Sequence, residues 1–220
     1  EKNFFNFNYL DISQDQKYKF NGFISLKPFF SEFSGELNEV NPNIFLNSSS
    51  IMVEFLKTGI LNNKNLNINT KIYVKQISTF RDLINLSLNA KISEGLFDLN
   101  ETNFDLNNYA HFKITDSLIY TDNNNLILDA LISINIKDSD EVYKIFQTPR
   151  KYRKKIKKSE FNLSYNFDQQ TANLSTIKVD EEINKNINNI LNKLIFKDNQ
   201  LQNRIYIKNL ANKAIKGYSG

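Results

Sequence analysis

The strongest concentration of charge in the sequence is a basic segment, residues 150–158, which reads Arg-Lys-Tyr-Arg-Lys-Lys-Ile-Lys-Lys. It carries seven cations in nine residues, and without them the formal net charge of +4 would be −3. A polybasic segment gains roughly 1 kcal/mol per Lys or Arg beside an anionic membrane. The segment is therefore a candidate site for anionic headgroups, formed by Arg150, Lys151, Arg153, Lys154, Lys155, Lys157 and Lys158.

Two other interpretations of the basic segment stay open. Most runs of charge are solvated loops, and the segment leads into a strand-like stretch that begins near Phe161. Nucleic acid is a less favoured partner, because no helical reader or exposed aromatic motif accompanies the cations.

Residues that catalyse reactions or bind metals are scarce. The sequence has no Cys and a single His, His111, so it offers neither a thiolate site nor a His-Cys ligand set. We expect His111 to be a surface residue that faces away from Phe112 on an alternating strand. Acidic residues such as Asp138 and Glu181 stand at predicted helix starts, where the helix dipole accounts for them. No glycine-rich phosphate loop is present, so we expect no catalytic residue, no metal and no other cofactor.

Hydrophobic and polar residues alternate along most of the chain, as they do in half-buried β-strands. The pattern is clearest over residues 66–74, 84–92 and 126–136, and short Asn-rich connections such as 121–125 predict antiparallel hairpins. A period of two places every second side chain on the same side of a sheet. We predict one shared concave apolar face that includes Ile68, Ile72, Leu86, Leu88, Leu128 and Ile132.

Three segments show helical spacing instead, near residues 42–60, 138–148 and 181–196. Three short helices cover only part of an apolar sheet face, so the sheet must curl around the remainder. We predict a mainly β (α+β) fold, in which a strongly curved antiparallel meander forms a trough or half-barrel over residues 1–200. Residues 201–220 form a C-terminal tail. The chain begins at Glu1 without a signal pattern, and we expect it to be a piece of a longer protein.

Three stretches resemble the AsmA-like family: Phe-Asn-Gly-Phe-Ile-Ser-Leu-Lys-Pro-Phe at 20–29, Ile-Leu-Asn-Asn-Lys-Asn-Leu at 60–66, and Phe-Gln-Thr-Pro at 146–149. The resemblance implies the C-terminal periplasmic region of an envelope protein, anchored to the inner membrane through a segment absent from this chain. It also implies a curved sheet with an apolar groove like those of bridge-type lipid-transfer proteins. It assigns no active-site residue.

These expectations combine into a non-enzymatic lipid-binding or lipid-transport domain of the bacterial envelope. Acyl chains would lie on the apolar face, where burial is worth about 0.8 kcal/mol per CH₂. The expected partners are a phospholipid or another envelope lipid, an anionic membrane surface and other envelope proteins, but not nucleic acid. Two alternatives remain: an envelope scaffolding or interaction β-domain with a fully packed core and no ligand, and a hydrolase or carbohydrate-active β-protein.

Overall fold

The structure, a computed structural model, describes residues 4–13, 16–41, 50–59, 62–191, 195–197 and 203–219. These ranges contain thirteen strands and four α-helices. The strands are β1 (Phe4–Ser13), β2 (Gln16–Leu26), β3 (Phe29–Val40), β4 (Asn67–Ile77), β5 (Leu83–Ser93), β6 (Leu96–Asp98), β7 (Asn103–Leu106), β8 (Ala110–Asp122), β9 (Asn125–Ile136), β10 (Lys158–Asn166), β11 (Thr171–Val179), β12 (Glu182–Ile183) and β13 (Ile195–Lys197). The helices are α1 (Ile51–Lys57), α2 (Ser139–Ile145), α3 (Lys185–Leu191) and α4 (Arg204–Ser219).

All thirteen strands belong to one curved sheet, which confirms the predicted mainly β fold with short helices. Its order is β1-β2-β3-β4-β5-β6-β8-β9-β10-β11-β12, while β7 pairs with β5 and β8, and β13 pairs with β11. Neighbouring strands are antiparallel except β3 and β4, which run parallel. The sheet is therefore mixed rather than a pure meander. Parallel neighbours need a crossover connection, and here that connection contains α1.

Asn supplies the turn chemistry of the β8–β9 hairpin, as the sequence predicts, whereas Glu94-Gly95 and Gln170 have the positive φ values in the β5–β6 and β10–β11 turns. Asn123 and Asn124 connect β8 to β9 with φ values of +46° and +63°, and the flanking Asp122 and Asn125 pair directly. A two-residue hairpin loop with two left-handed residues matches the twist of its strands, and Asn tolerates this conformation.

Each helix begins at a residue whose side chain accepts backbone N–H groups of the first turn, as helix N-caps do. Ser50 Oγ accepts from the N–H of Val53 in α1. Asp138 caps α2 through two N–H groups, and Asn184 and Asn203 cap α3 and α4. The predicted helices overlap α1, α2 and α3, with residues 42–49 and 60 of the first and 192–194 of the third outside the described residues. The third is shorter than the predicted range 181–196, whose two ends form β12 and β13 instead.

One apolar face runs continuously across the sheet. Directly paired residues of neighbouring strands project to the same side, and the register connects ten of them in a single row from β1 to β11. That row is Phe5, Ile24, Ser31, Ile68, Ile92, Phe97, Ile119, Leu128, Tyr165 and Ala172.

The described helices pack on this face over the C-terminal half of the sheet. The larger core cluster packs Val53 of α1 and Ile187 and Leu191 of α3 against buried residues of β9, β10 and β11. Tyr206 and Leu210 of α4 pack against the same cluster. A smaller cluster lies beneath α2, around Phe80, Leu106 and Ala110. Neither cluster includes a described residue of β1 to β4.

Two further elements differ from the sequence prediction. β1 was not anticipated, because Phe4 and Leu10 put apolar side chains on the opposite face from Phe5, Phe7 and Tyr9 and obscure the alternation. The residues expected to form only a tail include the sixteen-residue helix α4. Among the described helices, none is long and apolar enough to cross a membrane.

Candidate functional site: an open apolar face and a basic segment

The register places all six predicted groove residues on the continuous apolar face, but in two different environments. Leu128 and Ile132 of β9 are buried in the core cluster beneath the helices. Their role is to pack the interior, and they are not available to a ligand. The other four, on β4 and β5, lie outside both core clusters and are half-buried: Ile68, Ile72, Leu86 and Leu88.

These four belong to a larger surface, here called the open apolar face. It also includes aromatic and aliphatic side chains of β1, β2 and β3 that the register places on the same side. Its members are Phe5, Phe7, Tyr9, Phe20, Ile24, Phe33, Leu37, Ile68, Ile72, Leu86 and Leu88. Ser31, Val74 and Ile92 lie on the same side of β3, β4 and β5 but are buried, so the face is not open throughout. The outermost strand is the most exposed, with Phe5 at 56% and Tyr9 at 54%.

Glycines flatten the aromatic part of the open apolar face. A Cβ on Gly22 would lie 2.0 Å from Cε1 of Phe7, and one on Gly35 would lie 2.7 Å from Cδ1 of Phe20. Both rings therefore lie down over a neighbouring glycine rather than projecting from the sheet. Phe7 reaches Phe33 at a centroid distance of 5.5 Å. The result is a smooth apolar surface that spans several strands.

The basic segment lies at the helix-covered end of the molecule, where it connects α2 to β10. The hydroxyl of Tyr143 donates to the carbonyl of Lys154, and one carboxylate oxygen of Asp180 accepts from the N–H groups of Lys157 and Lys158 at 2.8 and 2.9 Å. The backbone of the segment is thus fixed, while most of its side chains remain in solvent.

Three of the seven predicted cations form hydrogen bonds or ion pairs with polar groups. Arg153 Nε donates to a backbone carbonyl at 2.9 Å, and Lys154 Nζ donates to the carbonyl of Tyr218 at 3.5 Å. Lys158 pairs with Glu160 at 2.9 Å. The hydrogen bond from Lys158 lowers the pKa of Glu160, and the same bond raises the pKa of Lys158. The contacts of these three cations mainly fix the basic segment in place.

The remaining four are exposed and form no ion pair with any residue in the described ranges: Arg150, Lys151, Lys155 and Lys157.

Helix α4 adds a cation that sequence reasoning missed. Lys216 Nζ lies 5.5 Å from the ring centroid of Tyr152, and Lys151 Nζ lies 4.9 Å from the same centroid. The recurring Lys residues of 204–219, without any Asp or Glu, were the signal in the sequence.

The polar face of the sheet carries a hydrogen-bonded chain across four strands. Tyr73 donates to Asn85 at 2.9 Å, Asn85 donates to Asp105 at 3.2 Å, and Asp105 lies 2.8 Å from His111 Nδ1. His111 faces away from Phe112, as expected from the strand period. Within the described ranges no three His, Cys, Asp or Glu residues gather in a metal-binding arrangement.

A depression of about 500 Å³ also lies mainly on the polar face, between β3 and the connection after β6. Its lining includes Glu32, Lys71, Lys91, Asp98 and Glu101. These side chains suit water and polar solutes rather than acyl chains.

Comparison of the chain with protein-family models, with curated proteins and with solved structures yields no match.

Proposed function

We propose that the chain is a non-enzymatic lipid-binding domain that holds acyl chains on the open apolar face. The observation that carries this proposal is the continuity of that face over five strands, outside both core clusters. Soluble proteins rarely expose contiguous apolar patches beyond a few hundred Å², and larger ones mark binding sites. An acyl chain gains about 0.8 kcal/mol for each CH₂ that it buries there.

The exposed cations of the basic segment supply the second part of the proposal. The open apolar face belongs to β1–β5, whereas the basic segment packs beside α2, α4 and β10, so the two features lie in different halves of the sheet. They would serve separate purposes: one binds acyl chains, and the other holds the domain at an anionic membrane. The resemblance to AsmA-like proteins supports a periplasmic setting for this activity.

The proposal is tested by lipid binding to matched variants of adjacent residues. Leu88 lies on the open apolar face, and Ser87 lies beside it on the polar face. We expect native mass spectrometry to detect bound phospholipid on the unchanged chain and on Ser87→Gln. Leu88→Gln should retain several-fold less lipid, because an amide on the face must be desolvated beneath an acyl chain.

Circular dichroism and urea denaturation establish that both variants are folded before their binding is compared. Equal lipid occupancy in the two variants would count against the open apolar face as the site. Absence of lipid from the unchanged chain, even after incubation with phospholipid, would favour the alternative of an envelope interaction domain. The exposed edge of β1 is the specific feature that favours this alternative.

A further inference from the structure

The two ends of the sheet are built very differently. One end carries β12 and β13, which are two and three residues long and include charged residues. Short and charged edge strands discourage pairing with other chains. The other end is β1, ten residues long and paired to β2 without a bulge. Its outer edge has no strand partner among the residues that the structure describes.

β1 lacks the features by which edge strands normally avoid association. Its sequence Phe-Phe-Asn-Phe-Asn-Tyr-Leu-Asp-Ile-Ser contains no Lys, no Arg and no Pro, and its single charge is Asp11 near one end. Apolar side chains are exposed on both of its faces, with Leu10 at 59% and Phe5 at 56%. An edge of this kind offers a row of unpaired backbone donors and acceptors to a second strand.

The sequence of β1 is complementary to itself about Phe7. In an antiparallel pair of two identical strands related by a two-fold axis at Phe7, Phe5 would face Tyr9 of the second copy and Phe4 would face Leu10. Asn6 would face Asn8. Within residues 4–10, every apolar residue therefore meets an apolar residue, and every amide meets an amide, as favourable cross-strand pairs require.

Other registers match less well. Moving the axis to Asn8 would place Phe5 opposite Asp11 and Asn6 opposite Leu10. Axes that fall between residues would join residues from opposite faces, because the side-chain period is two. With the axis at Phe7, both residues of each pair lie on the same face of the sheet. The backbone N–H and C=O groups on the outer edges of the two strands can therefore hydrogen-bond to each other.

We propose that β1 of one copy pairs antiparallel with β1 of a second copy, about a two-fold axis at Phe7. The open apolar faces of the two copies then lie on the same side and join into one surface. The described helices contact β9, β11 and each other rather than the β1 end of the sheet. The pairing depends on the edge alone and does not require that the proposed lipid binding is correct.

Cysteine cross-linking tests the register, since the chain contains no Cys of its own. Neighbouring Cα atoms in an antiparallel pair lie about 4.5–5.5 Å apart, within reach of a disulfide. We expect Phe7→Cys alone to form a disulfide-linked dimer under mild oxidation. Phe5→Cys alone should remain monomeric on a denaturing gel, whereas an equimolar mixture of Phe5→Cys and Tyr9→Cys should cross-link. Equal cross-linking of Phe5→Cys and Phe7→Cys in separate samples would overturn the register.

Charge reversal tests the interface in solution by sedimentation velocity of the 220-residue chain. We expect a concentration-dependent dimer for the unchanged chain. Asn6→Lys with Asn8→Lys places like charges opposite each other and should weaken the dimer by about tenfold or more. The same pair changed to Glu should also weaken it, and mixing the Lys and Glu variants should restore a heterodimer. Asn162→Lys with Asn173→Lys, which adds the same charge at exposed positions of β10 and β11, should leave the dimer intact.

The restored heterodimer also shows that the Lys and Glu variants are folded. An unchanged chain that stays monomeric at every concentration would overturn the proposal. So would a dimer that the Lys variant leaves undiminished, since its interface would then lie elsewhere. Phospholipid binding by a monomer would support the proposed function while this inference failed, so the two outcomes are distinguishable.

Discussion

Lys57 and Asp168 are 111 residues apart in the chain, yet the ammonium group of Lys57 lies 2.6 Å from Asp168 Oδ1. The other carboxylate oxygen of Asp168 accepts the N–H of Leu126 at 2.7 Å. One carboxylate thus joins α1, the start of β9 and the turn between β10 and β11. Because α1 is short, this pair and the packing of Val53 determine where the helix lies on the core.

The stability of the protein should depend on pH through the ionisation of Asp168. Burial alone would raise the pKa of Asp168, but the hydrogen bonds from Lys57 and the Leu126 N–H outweigh burial and lower it. A lowered folded pKa contributes stability that is present above the unfolded value of about 3.9 and is lost as pH falls through the folded value.

We therefore expect Asp168→Asn to reduce the free energy of unfolding by about 1 kcal/mol at pH 7, allowing for solvent screening. The difference from the unchanged protein should shrink as pH falls below 4. Urea denaturation at several pH values measures both effects. Asp122→Asn, at an exposed turn, is the control and should have little effect. A difference that stays constant from pH 7 to pH 2 would contradict the argument.

Asn212 of α4 should be important for attaching that helix. Its carbonyl oxygen accepts from the hydroxyl of Thr148 at 2.7 Å, and its amide donates to the carbonyl of Phe146 at 2.8 Å. Thr148 is 1% exposed, so Asn212→Ala would leave buried polar groups unpaired. We expect a loss of about 2 kcal/mol in thermal or urea unfolding. Asn209→Ala, at an exposed position of the same helix, should change stability little, and equal losses would refute the role of Asn212.

Ionisation of Tyr143 should lower the free energy of unfolding at alkaline pH. Burial raises the pKa of its phenol to about 12, from an ordinary value near 10. The unfolded chain then releases this proton first, so stability declines as pH rises from 10 towards 12. Tyr143→Phe should remove that part of the decline. It should also speed tryptic cleavage within the basic segment, since the hydroxyl no longer holds the Lys154 carbonyl. Identical alkaline profiles and cleavage rates would contradict this prediction.

The parts of the fold that local sequence governs were predictable. Alternation gave the strands and their apolar face, because the period of two belongs to the backbone itself. The cap at Asp138 and the paired Asn residues at 123 and 124 marked a helix start and a hairpin. Alternation says nothing about which strands become neighbours, however, so the parallel pairing of β3 with β4 was not predictable.

The accessibility of the candidate site could not be read from the sequence for a related reason. Ile72 and Leu128 occupy equivalent positions in alternating strands, yet Leu128 is buried in the core cluster and Ile72 lies outside both clusters. The difference arises from where α1, α3 and α4 pack, which depends on contacts between distant residues. Lys216 joins the basic segment only because α4 folds back beside Tyr152.

The exposed cations of the basic segment should bind anionic membranes. The structure identifies Arg150, Lys151, Lys155 and Lys157 as the exposed cations that form no ion pair within the described residues, whereas Arg153, Lys154 and Lys158 hydrogen-bond or pair with polar groups. Each cation near an anionic surface contributes up to about 1 kcal/mol, less at higher salt. Changing all four to Gln should therefore weaken liposome co-sedimentation by about tenfold or more with vesicles rich in anionic lipid.

The matched control removes the same charge elsewhere, by changing the exposed Lys64, Lys71, Lys75 and Lys91 to Gln. Both variants then have a formal net charge of 0 instead of +4, so a general effect of charge would weaken them equally. We expect the control to retain most of its binding to anionic vesicles, and no protein to bind neutral vesicles through the basic segment. The difference should narrow as salt is raised, because exposed charges are screened. Equal binding by the two variants at low salt would show that the basic segment is a solvated loop with no part in membrane contact.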